Sequence, residues 1–205
     1  MTGKTRKAAD PASIAKAAEL LRKGGVIIHP TETLYGFAAS ALIPNAIRRI
    51  DAIKERKFQD TYIVLMKDRA MVDAYHLIFD RQAEKLADHF WPGPLTLVLP
   101  VRRDSDLIHL ASNGMLAVRV SPDPFVSALF TLIDFPVIST SVNKSGSAPL
   151  RDPVKMEALF RNSVERIFER GVSPEALPST IVSSVNNVLT LLRKGAVPEE
   201  AIYGV

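Results

Sequence analysis

Residues 26–36 read Val-Ile-Ile-His-Pro-Thr-Glu-Thr-Leu-Tyr-Gly, and this stretch decides the class of fold. Three β-branched aliphatic residues in a row are typical of a short strand that is buried on both faces. The preceding residues 13–23 place Ile14, Ala17 and Leu21 at helical spacing, and two glycines then end the helix. A helix followed at once by a buried strand indicates an α/β protein.

The same alternation continues along the chain, so the α/β assignment covers all of it. Helices are predicted at residues 13–23, 45–53, 81–90, 124–132 and 153–161. Strands are predicted at residues 26–28, 62–66, 95–99, 116–120, 137–140, 180–182 and 188–192, and near residue 167. A last turn is predicted around residues 198–202.

The 205 residues contain no cysteine, which excludes disulfides, thiol nucleophiles and cysteine-bound metals. The four histidines are too far apart for a helical zinc-binding pair. Any metal should therefore be a hard cation held by oxygen ligands and substrate phosphates. No apolar run approaches the ~18 residues that cross a bilayer, and residues 1–10 have no signal-like stretch, so a cytoplasmic location is expected.

The net charge of +4 is concentrated at one end of the chain. Residues 1–9 carry Lys4, Arg6 and Lys7 without any acid, which leaves a nearly neutral body. We predict a flexible basic tail over residues 1–9 and a single domain over residues 10–205. A nearly neutral body gives little support for nucleic-acid binding by the domain itself.

Two of the predicted strands end in unusually polar segments. One runs from residue 29 to residue 36, and the other, residues 139–146, reads Ser-Thr-Ser-Val-Asn-Lys-Ser-Gly. Ligands of α/β proteins bind beyond the carboxyl ends of strands, and hydroxyl and amide groups suit phosphate or carboxylate ligands. The alternative is that both segments are turns and helix caps, which use the same residue types.

Two further positions could hold an anion. Lys54 and Arg56 can face one ligand only if the helix before them has ended, because residues two apart point the same way only on an extended chain. The alternative is an ordinary solvated charge run. Arg119 takes the opposite face of its strand from the aliphatic residues around it, so it needs an anionic partner if that face is covered. Glu32 is either a general base or a carboxylate that caps a loop.

Seven short motifs occur in one order between residues 11 and 202, and together they resemble a single family. The motifs are Pro30-Thr31-Glu32-Thr33-Leu34-Tyr35-Gly36, Lys54-x-Arg56, Trp91-Pro92-Gly93-Pro94-Leu95-Thr96, Val118-Arg119-Val120, Ser139-Thr140-Ser141-Val142-Asn143-x-Ser145-Gly146, Pro178-Ser179-Thr180-Ile181-Val182 and Leu192-Arg193-x-Gly195. The set resembles the YrdC-like threonylcarbamoyl-adenylate synthases, in their short single-domain form. One motif alone is unspecific, whereas seven in order are highly specific.

The resemblance implies a twisted, open mixed sheet with flanking helices around a positively lined cavity. It implies a nucleotidyltransferase that makes threonylcarbamoyl-AMP and pyrophosphate from L-threonine, bicarbonate and ATP, with Mg²⁺ carried by the ATP phosphates. The product would pass to a tRNA threonylcarbamoyl transferase machinery that modifies the adenosine next to the anticodon. Weak binding of tRNA is a further expectation.

Matching positions assign a role to each candidate residue. The resemblance assigns both catalysis and ATP binding to Lys54 and Arg56. It adds Ser141, Asn143 and Arg193 to the ATP site. It assigns the threonine or carbamate part to Thr33, Arg119, Ser139, Thr140 and Ser179.

The chain departs from the family pattern at four positions. Lys57 stands where the family usually has proline, and Leu65 stands where some members place a histidine that faces threonine. Met115 and Pro149 replace polar residues that some members use near the nucleotide. We expect the Leu65 side chain to give the threonine methyl group an apolar neighbour.

Two alternatives to the synthase stay open on the sequence. One is a YrdC-like paralogue that binds RNA or nucleotide without making the adenylate. The other is a carbamoyl-transferring module, which normally belongs to a much larger chain. The retained Lys54, Arg56, Ser141 and Asn143 favour the synthase.

Overall fold

The polypeptide folds around one ten-stranded mixed sheet, as seen in a computed structural model that describes residues 5–7, 10–55, 62–173 and 175–205. The strands are β1 Thr5–Lys7, β2 Ile27–His29, β3 Gly36–Ser40, β4 Ile63–Met66, β5 Leu95–Pro100, β6 Met115–Val120, β7 Val137–Ser141, β8 Arg166–Glu169, β9 Thr180–Val185 and β10 Val188–Arg193. Their order across the sheet is β1-β8-β2-β3-β7-β4-β6-β5-β9-β10. Among the described strands, four pairs are parallel (β1/β8, β2/β8, β4/β6 and β5/β9) and five are antiparallel, which confirms the twisted, open mixed α/β sheet.

Short helices flank the sheet. They are α1 Pro11–Arg22, α2 Pro44–Lys54, α3 Arg69–Ala74, α4 Arg81–Phe90, α5 Pro124–Phe130, α6 Pro153–Phe160 and α7 Glu199–Tyr203, with a 3₁₀ turn at Ile108–Leu110. Five of them begin at an aspartate whose side chain accepts a backbone N–H of the first turn. Such caps satisfy donors that a helix start otherwise leaves unpaired, and they fix where each helix begins.

The two faces of the sheet carry separate cores. Side chains such as Ile28, Phe37 and Val118 belong to the larger core, which also includes buried residues of α2, α4 and α6. Alternate positions such as Ile27 and Ala38 point the other way, into a smaller core that α1 and α5 cover. Because α1 and α5 cover only part of that second face, the neighbouring strands leave room for a cavity.

Most predicted elements are present within a few residues, but strand β3 and helix α3 were missed, as was strand β1. Strand β3 contains small residues without alternation or β-branching, and its five residues are all buried between β2 and β7. Helix α3 is only six residues long and depends on the side-chain cap from Asp68. Both elements depend on neighbours or caps more than on a periodic apolar pattern.

The expectation of a flexible tail over residues 1–9 is wrong for the part that the structure describes. Thr5–Lys7 form strand β1, which pairs in parallel with β8. The outer edge of β8 offers unpaired backbone N–H and C=O groups, and an extended segment satisfies them by adding a strand. The remaining residues of that stretch, 1–4 and 8–9, lie outside the described residues.

Candidate active site

A cavity of about 790 Å³ opens on the partly covered face of the sheet. Nine of the ten residues that the sequence assigned to a site line it: Thr33, Lys54, Arg119, Ser139, Thr140, Ser141, Asn143, Ser179 and Arg193. The tenth, Arg56, lies outside the described residues, as does Lys57. The fold thus brings together segments that are far apart in sequence, while the role of each residue stays a prediction.

The strand register explains how side chains reach the cavity. In β6, Ala117 and Arg119 point into the cavity while Leu116 and Val118 point into the larger core. Ser139 of β7 lies beside Ile63 of β4, which lies beside Ala117. One row across the sheet therefore changes from a hydroxyl to small and apolar side chains.

Arg119 is buried, with 4% of its surface exposed, and its face of the strand is covered. Its Nη1 donates to Oγ1 of Thr33 at 3.0 Å and lies 3.3 Å from Oε1 of Glu32. Glu32 is held in turn by the hydroxyl of Ser121, which donates to Oε2. The sequence required an anion at this place, and Glu32 supplies an internal one, while Nε of Arg119 has no hydrogen-bond partner among the described residues.

Thr31, which the sequence analysis did not assign to the site, organises the turn beneath Arg119. Its hydroxyl donates to the carbonyl of Leu34 at 2.6 Å and accepts the backbone N–H groups of Thr33 and Leu34. The Thr33 hydroxyl, 2.9 Å away, therefore donates to Thr31 and accepts from Arg119. Thr31 lies three residues after a predicted strand, in a Thr-x-Thr pair, and this position was the signal that could have indicated its role in the turn.

A second arginine closes this end of the cavity. Arg193 donates through Nε and Nη2 to the carbonyl of Ser179 and through Nη2 to the Ser179 hydroxyl at 2.9 Å. The same hydroxyl lies 2.8 Å from that of Thr96. Ser179 is thereby fixed between a guanidinium and a neighbouring strand.

The two guanidinium groups differ in their exposure to solvent: Arg119 is buried, whereas Arg193 is an exposed residue whose hydrogen bonds to Ser179 are partly buried. Burial lowers the pKa of Arg119, an effect that Glu32 and Asp123 oppose. Partial burial lowers the pKa of Arg193, and the like charge of Arg119 lowers it further. Two neighbouring cations that repel each other favour the entry of an anionic ligand between them.

The other end of the cavity is built around Lys54, the last residue of α2, which is 4% exposed. Its ammonium donates to the carbonyl of Ser141 at 2.6 Å, and to the carbonyl and Oδ1 of Asn143 at 3.0 Å each. The Ser141 hydroxyl also donates to Oδ1 of Asn143, at 2.6 Å. Lys54 thus holds the turn that follows β7.

The helix ends where the sequence analysis required it to end. The C-cap, Glu55, has φ 51° and ψ 44°, a left-handed conformation that stops α2 directly after Lys54. Lys54 and Arg56 can act on one ligand only if the helix ends before Arg56. The structure meets this condition as far as Glu55, the last described residue of the segment.

The cavity has a cationic lining. Lys54, Arg119, Arg193 and Arg151 line it, and among the described lining residues there is no aspartate or glutamate. Arg151 was missed from the sequence; its guanidinium donates to the carbonyls of Ser173 and Ala176. A basic residue shortly after the hydroxyl-rich segment was the signal that could have indicated it.

Of the three departures that the structure describes, two lie at the cavity and one does not. Met115 and Pro149 line it. Leu65 is 1% exposed and packs into the smaller core, beside Val137 and Arg119 in the sheet. The expectation that Leu65 faces the substrate is therefore wrong, because α1 and α5 cover that part of the face.

Comparisons with known proteins place the chain in a family. Residues 19–195 match the Sua5/YciO/YrdC family, described as "Telomere recombination". The chain belongs to this family of mixed α/β proteins, which confirms the assignment made from the seven motifs.

Two similar proteins are named threonylcarbamoyl-AMP synthase. The chain is 28% identical over 180 residues to the threonylcarbamoyl-AMP synthase of Coxiella burnetii, covering 88% of this chain and 97% of the relative. It is 32% identical over 201 residues to the threonylcarbamoyl-AMP synthase of Bacillus subtilis, covering 96% of this chain and 57% of the relative.

A solved structure shows the same fold. Pyrococcus abyssi Sua5, complexed with L-threonine, superposes with a TM-score of 0.86 at 30% identity, covering 95% of this chain and 57% of that one. The chain therefore spans slightly more than half of the Bacillus and Pyrococcus proteins and nearly all of the Coxiella protein.

Two searches of the described residues bear on metals and membranes. No group of three or more histidine, cysteine, aspartate or glutamate side chains comes together there as a metal site would require. Within the same ranges, no helix has the length and apolar character needed to cross a membrane.

Proposed function

We propose that the protein is an L-threonylcarbamoyladenylate synthase, a nucleotidyltransferase that converts L-threonine, bicarbonate and ATP into threonylcarbamoyl-AMP, pyrophosphate and water, the water leaving when the threonine amine and bicarbonate form the carbamate. The observation that carries the proposal is the cavity itself, in which two arginines at one end face a lysine-held turn at the other. Family membership and relatives named threonylcarbamoyl-AMP synthase support it.

The reaction suits a site that positions anions. A carbamate oxygen attacks the α-phosphorus of ATP, the new P–O bond forms, and the bond to the β-phosphate oxygen breaks to release pyrophosphate. No covalent enzyme intermediate is needed, so the residues contribute positioning and charge stabilisation. A recessed cavity also protects the carbamate from water.

The arginine end would receive the carboxylate and carbamate of the amino-acid part. Arg119 is held in place by Glu32 and Thr33 and keeps an unpaired Nε. Arg193 adds a second positive charge close by. Ser139, Thr140 and Ser179 add hydroxyl groups that discriminate orientation through hydrogen bonds.

The lysine end would receive the nucleotide phosphates. Lys54 orders the turn that presents Ser141 and Asn143, and its positive charge lies just beneath them. Arg56 belongs to the same motif and is assigned to the phosphates on the resemblance alone. Mg²⁺ would enter as part of the MgATP substrate, and the absence of carboxylates from the described part of the lining fits a metal that the phosphates hold.

The product and its destination extend the proposal beyond the cavity. Threonylcarbamoyl-AMP is a mixed anhydride that a tRNA threonylcarbamoyl transferase machinery would consume to modify the adenosine next to the anticodon. A cytoplasmic location and weak binding of tRNA remain predictions from the sequence.

The direct test incubates the purified protein with MgATP, bicarbonate and L-threonine, and measures pyrophosphate together with the adenylate by mass spectrometry. We expect pyrophosphate release to require both threonine and bicarbonate. Equal ATP turnover without threonine, or nucleotide binding without any turnover, would contradict the proposal and favour a binding paralogue.

A further inference from the structure

A buried histidine, His29, stands directly behind the cavity wall, and the proposed function gives it no task. It is 1% exposed, at the end of β2, and the cavity lining does not include it. Its Nε2 lies 3.0 Å from Oγ of Ser139, which does line the cavity. The histidine therefore contacts Ser139, a proposed substrate-binding residue, from the side that faces away from the cavity.

The surroundings leave this pair little freedom. A Cβ atom placed on Gly36 would lie 2.5 Å from Oγ of Ser139 and 3.3 Å from Nε2 of His29, so the pair occupies the space that only glycine leaves open. The ring of Phe125 packs near the imidazole, with centroids 5.9 Å apart. Close packing of this kind holds both side chains in one arrangement.

The hydrogen bond to Ser139 is the main one of the imidazole. Its Nδ1 has no hydrogen-bond partner among the described residues. Burial, followed by the positive charge of Arg119, lowers the pKa of His29 to about 3, and the backbone of Pro30 has a smaller opposing effect, so the ring is neutral at physiological pH. If the neutral imidazole accepts, the hydroxyl proton of Ser139 points at the ring; if it donates, a lone pair of Oγ faces the ring and the hydroxyl proton points elsewhere.

We propose that His29 is a positioning residue that holds the Ser139 hydroxyl in the one orientation that receives the threonine or carbamate part of the substrate. This inference rests on the proposed function, because it takes the cavity side of Ser139 as the amino-acid site. It assigns His29 an effect through Ser139 alone, with no contact to the substrate.

A double-mutant cycle tests the inference. His29→Phe keeps an aromatic ring beside Phe125 and removes the hydrogen bond, and Ser139→Ala removes the partner. We expect each variant to lower kcat/KM for threonine roughly three- to tenfold, the range for one hydrogen bond between neutral groups, with little change in KM for ATP. The double variant should have the same kcat/KM for threonine as the less active of the two single variants, since both substitutions remove the same interaction.

A second histidine provides the matched control. His109 also bonds through Nε2, to the carbonyl of Ala41 at 3.1 Å, and it does not line the cavity. His109→Phe should leave kcat/KM for threonine unchanged. Equal losses in the His29 and His109 variants, or multiplied losses in the His29/Ser139 double variant, would overturn the inference.

Nitrogen-15 NMR of the histidine rings gives a readout that does not depend on activity. We expect His29 to stay neutral between pH 5.5 and 8, and Ser139→Ala to shift the Nε2 resonance of His29 while leaving His109 unchanged. A His29 ring that titrates near pH 6.5, or that ignores Ser139→Ala, would contradict the inference. If His29→Phe does not fold, His29→Gln enters the same cycle with an amide in place of the imidazole.

The proposed function and the positioning role of His29 can be refuted separately. Wild-type protein that makes no adenylate would refute the proposed function, while the NMR experiment would still test the pairing of His29 and Ser139. Wild-type protein that is active, together with a folded and fully active His29→Phe variant, would refute the positioning role alone.

Discussion

The two ends of the cavity hold their cations in different ways. At one end, Arg119 is paired with a carboxylate, that of Glu32, and is fixed by the Thr33 hydroxyl. At the other end, Lys54 makes its hydrogen bonds to two carbonyls and an amide oxygen of the turn after β7. The arginine end is a charge pair set in the sheet, whereas the lysine end is a cation that shapes a loop.

This difference predicts different kinds of damage. Loss of the arginine leaves a carboxylate without its counter-charge, so stability and catalysis should fall together. In the described turn after β7, loss of the lysine leaves carbonyl and amide oxygens that water can satisfy, so the effect should fall on the ordering of the Ser141–Asn143 turn and thus on ATP. The predictions below test this contrast.

Replacement of Arg119 should have the largest effect. We expect Arg119→Met to lower kcat/KM for threonine by about 100-fold or more, since charge-assisted hydrogen bonds contribute roughly 1.5–3 kcal/mol each. We also expect a loss of about 3 kcal/mol in the free energy of unfolding, the low end for a broken buried pair, because the Glu32 side chain retains 18% exposure. Steady-state kinetics and urea unfolding measure the two effects.

A compensating change separates the two effects. Arg119→Met combined with Glu32→Gln should recover most of the lost stability without recovering activity, because the unpaired charge is gone and the cation is still missing. A stable, active Arg119→Met protein would remove the basis of the contrast between the two ends.

Replacement of Lys54 should be severe for ATP and mild for threonine. We expect Lys54→Met to lower kcat/KM for ATP on the order of 10- to 100-fold. Combining Asn143→Ala with Lys54→Met should lower kcat/KM for ATP little further, because both substitutions disorder the same turn. Threonine dissociation measured by calorimetry should change less than threefold. Additive losses would show that Lys54 acts on the phosphates independently of the turn.

The second basic residue of the motif sharpens the same contrast. From the family pattern, Arg56→Ala should also cost on the order of 10- to 100-fold in catalytic efficiency with ATP, and Arg56→Lys should recover part of it, since lysine lacks the planar two-pronged contact. Lys57→Ala is the matched control and should matter much less. Equal losses of catalytic efficiency in Lys54→Ala, Arg56→Ala and Lys57→Ala would indicate a general basic patch.

The smallest expected effect concerns acid stability at the arginine end. His29 has a folded pKa of about 3 against an ordinary value of 6.5, so the unfolded chain binds its proton first as the pH falls. Stability should therefore fall between pH 6.5 and 3, by about 2 kcal/mol from pH 7 to pH 5 for this residue. Urea unfolding of His29→Phe at the two pH values should show a correspondingly flatter dependence; an unchanged dependence would mean that the ring is already charged or exposed.

The sequence predicted those structural features that depend on neighbouring residues in the chain. The helix over residues 81–90 was predicted at the bounds that the structure shows, since an aspartate cap and a following proline mark its ends. Nine of the residues that line the cavity were also recoverable, because each belongs to a short motif, whereas Thr31 and Arg151 of the same lining were missed.

The sequence was uninformative where the cause is a distant neighbour. Strand β3 exists because β2 and β7 pair with it on both sides, and its own residues give no strand pattern. Leu65 seemed on the resemblance to face the substrate, yet α1 and α5 cover its part of the sheet. Neither outcome could follow from spacing, which says which residues share a face and not what covers that face.

The sequence by itself determined the α/β class, the family and the set of polar residues at the strand ends, because these depend on periodicity, caps and motifs read over a few residues. Only the tertiary structure decided that Arg119 is paired with Glu32, that Lys54 holds the turn of Ser141, and that His29 lies behind Ser139. His29 and Ser139 are 110 positions apart, and the strand register sets His29 beside Gly36 and Ser139 beside Ala38. They meet because Gly36 has no side chain, so the imidazole reaches over it to the Ser139 hydroxyl.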